Sequence, residues 1–478
     1  MKTSFMEIQL ARPDIAEADK ILGTCQHFGF CTSGCPTYTL LHDENDGPRG
    51  RIDLIKEMLE QGGSPSPETV GYIDRCLSCM SCMTTCAVKV DYMHLVDIGR
   101  AYIEENYRRP WRERLVRGVL GYALPRPGLF KIMLGAGRLA ARFEKWVPPS
   151  LRHMTRLVPA APQGALASRA SCTVYPARAE RRWRVAMLAG CVQPVLSPHI
   201  NDATIRVLTR MGCEVVVPPL AGCCGSLNLH MGKRDAALRF AAANIRAWLA
   251  EMDGLGLDAI VINASGCGTT VKDYGHMFSG DAGLAEAARR VSSIAVDISE
   301  WLQRIEADAA DEADAAEKAQ LPPYKVAYHD ACSLRNAQKV TVQPRALLRK
   351  AGFQVVDVAE AHFCCGSAGT YNMLQPRLAQ QLGTRKAANI ERVQPQIIAA
   401  GNIGCISQIR LYSGIPIVHT VELLDWAHGG PVPPALQGVH LETPEPLAAE
   451  PKQASTTQAP IHMHQDAGSP DDNDVGVW

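Results

Sequence analysis

Long apolar runs are missing from this chain of 478 residues. None approaches the roughly 18–20 residues a bilayer-spanning helix needs, so an anchor of that kind is not expected. A charge excess is missing too: Lys+Arg and Asp+Glu each number 49, for a formal net charge of zero. No global field therefore recruits nucleic acid or an acidic substrate. The opening residues MKTSFMEIQLARPD carry charged and polar side chains where an export signal would have its apolar core, so a cytoplasmic protein is expected. No nucleophile and base stand in a pattern that would make an independent hydrolytic site.

A dinucleotide fingerprint is imitated but not met. Gly135-Ala-Gly137-Arg-Leu-Ala140 has the G-x-G-x-x-A spacing, yet no strand precedes it, and prolines and basic residues stand where the acidic ribose partner belongs. Close helix packing is the expectation there, and the chain shows no nicotinamide or flavin site of its own.

Cysteine is abundant. There are 17, an odd number, in tight clusters. Without an export signal they face reductants that keep thiols free, so metal is favoured over disulfides. The run Cys76-Leu-Ser-Cys79-Met-Ser-Cys82-Met-Thr-Thr-Cys86 has the full C-x2-C-x2-C-x3-C spacing of two-cluster iron-sulfur domains. In such domains three thiolates grip one cluster and the fourth crosses to another, so Cys35, Cys76, Cys79 and Cys82 are expected to hold a 4Fe-4S cluster. The earlier run Cys25-Gln-His-Phe-Gly-Phe-Cys31-Thr-Ser-Gly-Cys35-Pro36 lacks one ligand, with Phe28 at that place. Cys25, Cys31 and Cys86 then suit a 3Fe-4S cluster, or a labile 4Fe-4S cluster whose fourth iron is held by water or His27. A loop histidine without a metal role is the preferred reading of His27. Phe28 is expected to shield the site from water, and Ala87 replaces the usual proline. Between the two runs, Pro48 to Gly63 reads as a helix with Ile52, Ile55, Met58 and Leu59 on one face.

The second half is a duplication. Cys191, Cys223-Cys224 and Cys267 recur as Cys332, Cys364-Cys365 and Cys405, at offsets of 141, 141 and 138 residues, and both pairs continue into Gly-Ser. Each copy alternates strands and helices, which predicts a parallel sheet with every cysteine just past the carboxyl end of a strand. Adjacent cysteines ligate one small ion poorly but can touch two atoms of a larger cluster, so a further iron-sulfur cluster is expected in these copies. Zinc in one copy is the competing reading. Cys172 and Cys213 are left to packing or an inert surface, and His329-Asp330 to supporting Cys332 from behind.

The fold class is α/β with α+β: a helical two-cluster ferredoxin-like domain (residues 1–105) and two α/β cysteine-rich domains (183–304 and 324–430). A basic amphipathic connector (106–182) lies between the first and second. From Arg108 to Arg156 it sets twelve Lys/Arg against Glu113 and Glu144, and packing on a neighbouring domain competes evenly with contact to an anionic membrane or a partner subunit. An acidic Ala/Asp/Glu tether (305–323) and a Pro/Gln/Ser/Asp-rich tail (431–478), expected to be disordered, complete the division.

Together with DGPRGRI from Asp46, RCLSC from Arg75, LVDIGR from Leu95 and the two CCGS motifs, these features resemble the iron-sulfur subunit of glycolate oxidase. The resemblance runs from about Thr24 to Asp425. It extends to heterodisulfide reductase subunits, lactate-utilisation proteins and anaerobic glycerol-3-phosphate dehydrogenase. It implies electron transfer from FAD-containing subunits oxidising glycolate or a similar 2-hydroxy acid to a quinone or another acceptor, with peripheral attachment at the inner face of the membrane compatible with that role. A different flavin partner, for D-lactate or glycerol 3-phosphate, and a metal-bound scaffold or redox sensor are the alternatives. The seven ferredoxin cysteines and the eight duplicated ones carry over as ligands. The family has cysteine at position 28, and the fuller heterodisulfide motif ends in C-x-x-C where this chain has single Cys267 and Cys405. Four-thiolate sites are therefore expected in place of five-thiolate clusters.

Overall fold

Proline opens helix after helix, because its missing N–H is one the first turn leaves unpaired anyway. Pro13–Thr24, Pro48–Gln61, Pro67–Asp74, Pro127–Arg142, Pro198–Arg210 and Pro376–Glu391 all begin this way. The computed structural model describes residues 1–143, 152–156, 158, 173–308 and 321–442. Met1–Thr443 forms one compact unit.

The first part is helical throughout its described residues. Helices Pro13–Thr24, Pro48–Gln61, Pro67–Asp74 and Tyr92–Asn106 pack Ile15, Leu22, Ile55, Ile73, Leu95 and Ile103 into one core. The stripe expected on Pro48–Gln61 is that core's edge, with Ile52, Ile55, Met58 and Leu59 all buried. Cys25, Cys76 and Cys82 sit in the same core, so the apolar face of the helices fixes where the thiols can be.

Among the described residues nine strands follow: β1 Thr173–Tyr175, β2 Trp183–Met187, β3 Cys213–Val217, β4 Ala259–Ile262, β5 Ala295–Asp297, β6 Lys325–His329, β7 Gln354–Val356, β8 Ile397–Ala400 and β9 Ile417–His419. The first sheet runs β1-β3-β2-β4-β5 and the second β7-β6-β8-β9. All pairings are parallel except β1 with β3. Without β1, the two orders are identical, so the duplication seen in cysteine spacing is a duplication of topology. In each copy the chain passes from the central strand to one side and then to the other, and the reversal opens a crevice at the carboxyl edge where such sheets place ligands.

The copies share one core. Val185, Val215 and Trp301 of the first pack with Val326, Ile398 and Leu424 of the second, and Arg206 and Arg210 both bind buried Asp425 at 2.6 Å.

Elements run past three boundaries read from composition. β1 joins the first sheet ahead of residue 183, too short to show alternation. Helix Ile298–Asp308 continues beyond 304 with Ile305 fully buried. Beyond Gly430 a short turn, Pro434–Leu436, buries Leu436 in the shared core. Cys172, most of the acidic tether and residues 443–478 lie outside the described residues. The Gly135–Ala140 stretch lies inside helix Pro127–Arg142, and a side chain at Gly137 would come within 2.9 Å of Val158, while Gly135 faces open space. It is a helix-packing site at Gly137 and not a strand-to-helix turn.

Candidate metal centres

The ferredoxin-type thiols fall in two groups of different exposure. Cys25, Cys35, Cys76, Cys79 and Cys82 are buried, whereas Cys31 and Cys86 are half-buried. Cys35 and Cys76 have buried cationic company. Arg51, 1% exposed, donates to Asp46 Oδ1 at 3.1 Å and Thr37 Oγ1 at 3.0 Å and lies 4.0 Å from Cys35 Sγ. Arg100 donates to Cys76 O at 2.6 Å and Ser78 Oγ at 2.5 Å. Burial pushes the Cys76 thiol up, but Arg51 and Arg100 outweigh it and hold the thiol below its ordinary value. Cys79 and Cys82 have no such company, and burial followed by neighbouring thiols drives both well up. The N–H of Ser78 and the Tyr92 hydroxyl also point at Cys76 Sγ, at 3.5 and 3.6 Å. Converging buried sulfurs with N–H and cationic partners are what an anionic thiolate-bound cluster requires, so the residues fit the group.

Around Cys25, Cys31 and Cys86 the chain leaves a small cavity of about 40 Å³. Burial, then the other thiols, pushes Cys31 up to about 11. Phe28 lines this cavity but is 59% exposed. The expected water shield is therefore corrected: more than half of the ring faces solvent, on a turn where His27 and Gly29 both have positive φ. His27 Nε2 lies 3.4 Å from Asp53 Oδ1, in keeping with a loop histidine.

In the duplicated halves the CCG motif has a local cause. Gly225 and Gly366 have φ of +92° and +89°, and a Cβ on either would meet the backbone oxygen of Ala237 or Ala379 below 3 Å. Only glycine turns there, and the turn aims its own N–H back at the first cysteine of the pair, 3.4 Å from Cys223 Sγ and from Cys364 Sγ. In the first copy Asn244 and Tyr274 donate to the carbonyls of Cys223 and Cys224 at 2.9 and 2.8 Å. Cys267 and Cys405 enter on the first turns of helices Ser265–Lys272 and Ile403–Ile409, so each of the eight thiols stands beyond a strand's carboxyl end.

The two sets of four open onto a common space. All of them line one cavity of about 460 Å³, together with Leu77 and Ser78 of the first domain and Leu120, Leu124, Phe130 and Leu134 of the connector. Ser265 Oγ meets Ser333 Oγ at 2.7 Å and Asn402 Nδ2 at 2.8 Å, which ties the two halves together beside it. Cys332 Sγ is 3.8 Å from Cys364 Sγ. In the first set Cys191 and Cys224 pull Cys223 well below its ordinary value while they are themselves raised. In the second set all four thiols are raised: Cys332 by its contact with Cys364 and by burial, Cys364 and Cys365 by one thiol contact and burial against another thiol contact that lowers them, and Cys405 by burial against the lowering contact with Cys365.

The buried ferredoxin set abuts the second cysteine-rich set. Cys79 packs in one apolar cluster with Leu77, Cys364, Tyr371 and Leu382. After burial, the charge of Cys332 is the largest influence raising Cys79.

Two details differ from the sequence reading. Asp330 does not back up Cys332; its carboxylate is held by Arg345 at 2.6 and 2.9 Å and by Arg335 at 3.4 Å. His329 does lie against thiols, but those of Cys365 and Cys405. Burial and nearby Lys386 bring its imidazole down to about 3. Cys213 is fully buried core, pushed up to about 11 mainly by burial.

The family comparisons agree with this geometry. A model of a 4Fe-4S dicluster domain matches residues 21–90, and a model of a cysteine-rich domain matches twice, at 185–272 and 326–410. The glycolate oxidase iron-sulfur subunit of Escherichia coli (strain K12) is 40% identical over 430 residues, 89% of this chain and 99% of that protein. The probable glycolate oxidase iron-sulfur subunit of Bacillus subtilis (strain 168) is 29% identical over 85% of this chain and 94% of its own length. Lactate utilization protein A of Geobacillus thermodenitrificans (strain NG80-2) is 25% identical over 51% of this chain and 98% of its own length. With 40% identity across almost the whole of that first relative, and with the dicluster and both cysteine-rich domains in place, this chain belongs to the glycolate oxidase iron-sulfur subunit family.

Proposed function

We propose that this chain is the electron-carrying subunit of a flavin-dependent complex that oxidises glycolate or a similar 2-hydroxy acid, passing electrons on to a quinone or another acceptor. One observation carries the reading: the thiol sets adjoin one another. Cys25, Cys76 and Cys82 pack in one cluster with Cys31 and Cys86, Cys79 packs in the next with Cys364 and Cys332, and the second cysteine-rich set faces the first across a common cavity. Iron-sulfur clusters bound by these sets supply one-electron carriers, which suits drainage of a two-electron flavin. We assign Cys35, Cys76, Cys79 and Cys82 to a 4Fe-4S cluster, Cys25, Cys31 and Cys86 to a 3Fe-4S or labile 4Fe-4S cluster, and the two duplicated sets to further metal groups.

The ends differ in what they offer a partner. Phe28 and Phe30 stand 59% and 62% exposed beside the half-buried thiols, rings 6.2 Å apart. That apolar pair is the face assigned to the FAD-containing subunit. At the other end, helix Trp111–Ala123 leaves Trp111, Leu115, Val119 and Tyr122 exposed at helical spacing, and Ile132 and Leu139 are exposed on the next helix. Exposed apolar residues set among Arg and Lys fit a peripheral contact with an anionic membrane, and no helix among the described residues is long and apolar enough to cross one.

Anaerobic co-purification with the flavoprotein tests the reading. Glycolate should reduce the clusters as seen by EPR and drive a dye acceptor, with D-lactate and glycerol 3-phosphate as the competing substrates. Protein holding zinc alone, or clusters that no 2-hydroxy acid reduces through any flavoprotein partner, would overturn it. Sedimentation with anionic vesicles, lost in Trp111→Glu/Ile132→Glu, tests the membrane contact.

A further inference from the structure

The two cysteine-rich halves match in topology but not in what surrounds their thiols. His329 closes β6, three residues before Cys332, and lies 141 residues after Leu188, the offset that relates Cys332 to Cys191. Both positions are 2% exposed. One copy places an aliphatic side chain there and the other an imidazole.

That imidazole has an unmet need. Its Nε2 is buried and has no hydrogen-bond partner, a condition native proteins rarely tolerate without a reason. The acidic neighbour that could have claimed it does not, because Asp330 is engaged by Arg345 and Arg335. What it does have is sulfur: a ring nitrogen, Cys365 Sγ and Cys405 Sγ all lie within 4.8 Å of one another. Metal–nitrogen and metal–sulfur bonds of about 2.0–2.3 Å place tetrahedral donors roughly 3.5 Å apart, so small side-chain movements bring the three onto a single metal atom. The second copy then offers five donors, four thiols and one imidazole, where the first offers four thiols.

We infer that His329 ligates, through Nε2, the metal group held by Cys332, Cys364, Cys365 and Cys405, so that the second half binds through mixed nitrogen and sulfur while the first binds through sulfur alone. The inference rests on the reading that these four thiols hold a metal group. A neutral imidazole in place of a thiolate leaves the site one negative charge lighter than a five-thiolate site would be, which favours the reduced form of whatever it holds.

The test uses the full chain purified without oxygen, with Cys365→Ser marking the signals that belong to the second set. Nitrogen hyperfine coupling by ENDOR and iron- and zinc-edge X-ray absorption are read on wild type, His329→Leu and His329→Cys. Expected are a directly bonded nitrogen in wild type, its loss in both variants, metal lost from the second set in His329→Leu, and metal retained in His329→Cys. Full metal content and an unchanged spectrum in His329→Leu would show that the ring only packs, and would overturn the inference alone. A Cys365→Ser protein indistinguishable from wild type in metal content and spectrum would overturn the underlying reading as well.

Discussion

Asn336 Nδ2 donates to the backbone carbonyl of Cys79 at 2.9 Å. The bond joins the second cysteine-rich half to the buried ferredoxin-type loop at the cysteine nearest Cys332 and Cys364. Asn336→Leu removes the donor and leaves a buried carbonyl unpaired, at a cost of about 1–3 kcal/mol. Metal content should survive, since no thiol is touched. The checks are a lower urea midpoint and slower re-equilibration of electrons between the ferredoxin-type clusters and the rest after a reducing pulse.

Arg51 bears on charge at Cys35 and Cys76. It shares Asp46 with Arg75, whose Nε lies 2.7 Å from the same carboxylate oxygen, so Arg51→Gln leaves Asp46 partnered but the buried site one cation short. A missing positive charge makes adding an electron harder, so the potential of the cluster assigned to Cys35, Cys76, Cys79 and Cys82 should fall. Stability should drop by about 3 kcal/mol, the lower range for breaking a buried pair. Redox titration followed by EPR reads the first effect and denaturation the second.

Much of this was open to reading from particular residues. The 141-residue offsets revealed the duplicated sheets, and the x2-x2-x3 run marked the ferredoxin-type domain, because ligand spacing and strand periodicity are local properties. Strands β1, β5 and β9, three residues each, are too short for alternation to register. That both cysteine sets face one cavity was not legible either. It depends on how Ser265, Ser333 and Asn402 dock the copies, a long-range packing result that spacing within a copy does not encode. The same holds for Phe28: its residue type shows a missing ligand, but the exposure of its ring depends on the turn at His27 and Gly29. His329 carries a usable signal: an imidazole stands three residues before Cys332 where the other copy has Leu188.

His94 links the first domain to the first cysteine-rich half, with Nδ1 2.6 Å from Asp91 and Nε2 3.0 Å from Asp273. His276 stacks on it at 3.6 Å and itself bonds Glu17 at 2.8 Å. Burial lowers the His94 imidazole, but the two aspartates more than reverse this and hold it at about 10. Burial keeps the Asp273 carboxyl raised despite that imidazole, which takes back part of the gain. A raised folded value means the stabilisation is complete below the unfolded value of about 6.5 and is lost as pH rises through about 10. His94→Gln should therefore cost about 1–3 kcal/mol near pH 6, and the gap from wild type should narrow steadily toward pH 10. Urea unfolding across that range measures it, and a gap independent of pH would remove the ionic account.

Phe28→Cys restores the missing member of the first cysteine run, and the structure shows why it can be made cleanly. The ring is 59% exposed and belongs to none of the packed cores, so its loss should change stability by no more than about 0.5 kcal/mol. Position 28 already lines the cavity with Cys25, Cys31 and Cys86, so a thiol there stands beside the other three. With three thiols the site suits a 3Fe-4S cluster, which is paramagnetic when oxidised. With four it suits a 4Fe-4S cluster, which is paramagnetic when reduced. The variant should exchange the oxidised-state EPR signal for a reduced-state one and gain about one iron per chain, leaving the signal assigned to Cys35, Cys76, Cys79 and Cys82 in place. Identical spectra and iron content in the two proteins would mean that residue 28 does not govern which cluster the exposed end carries.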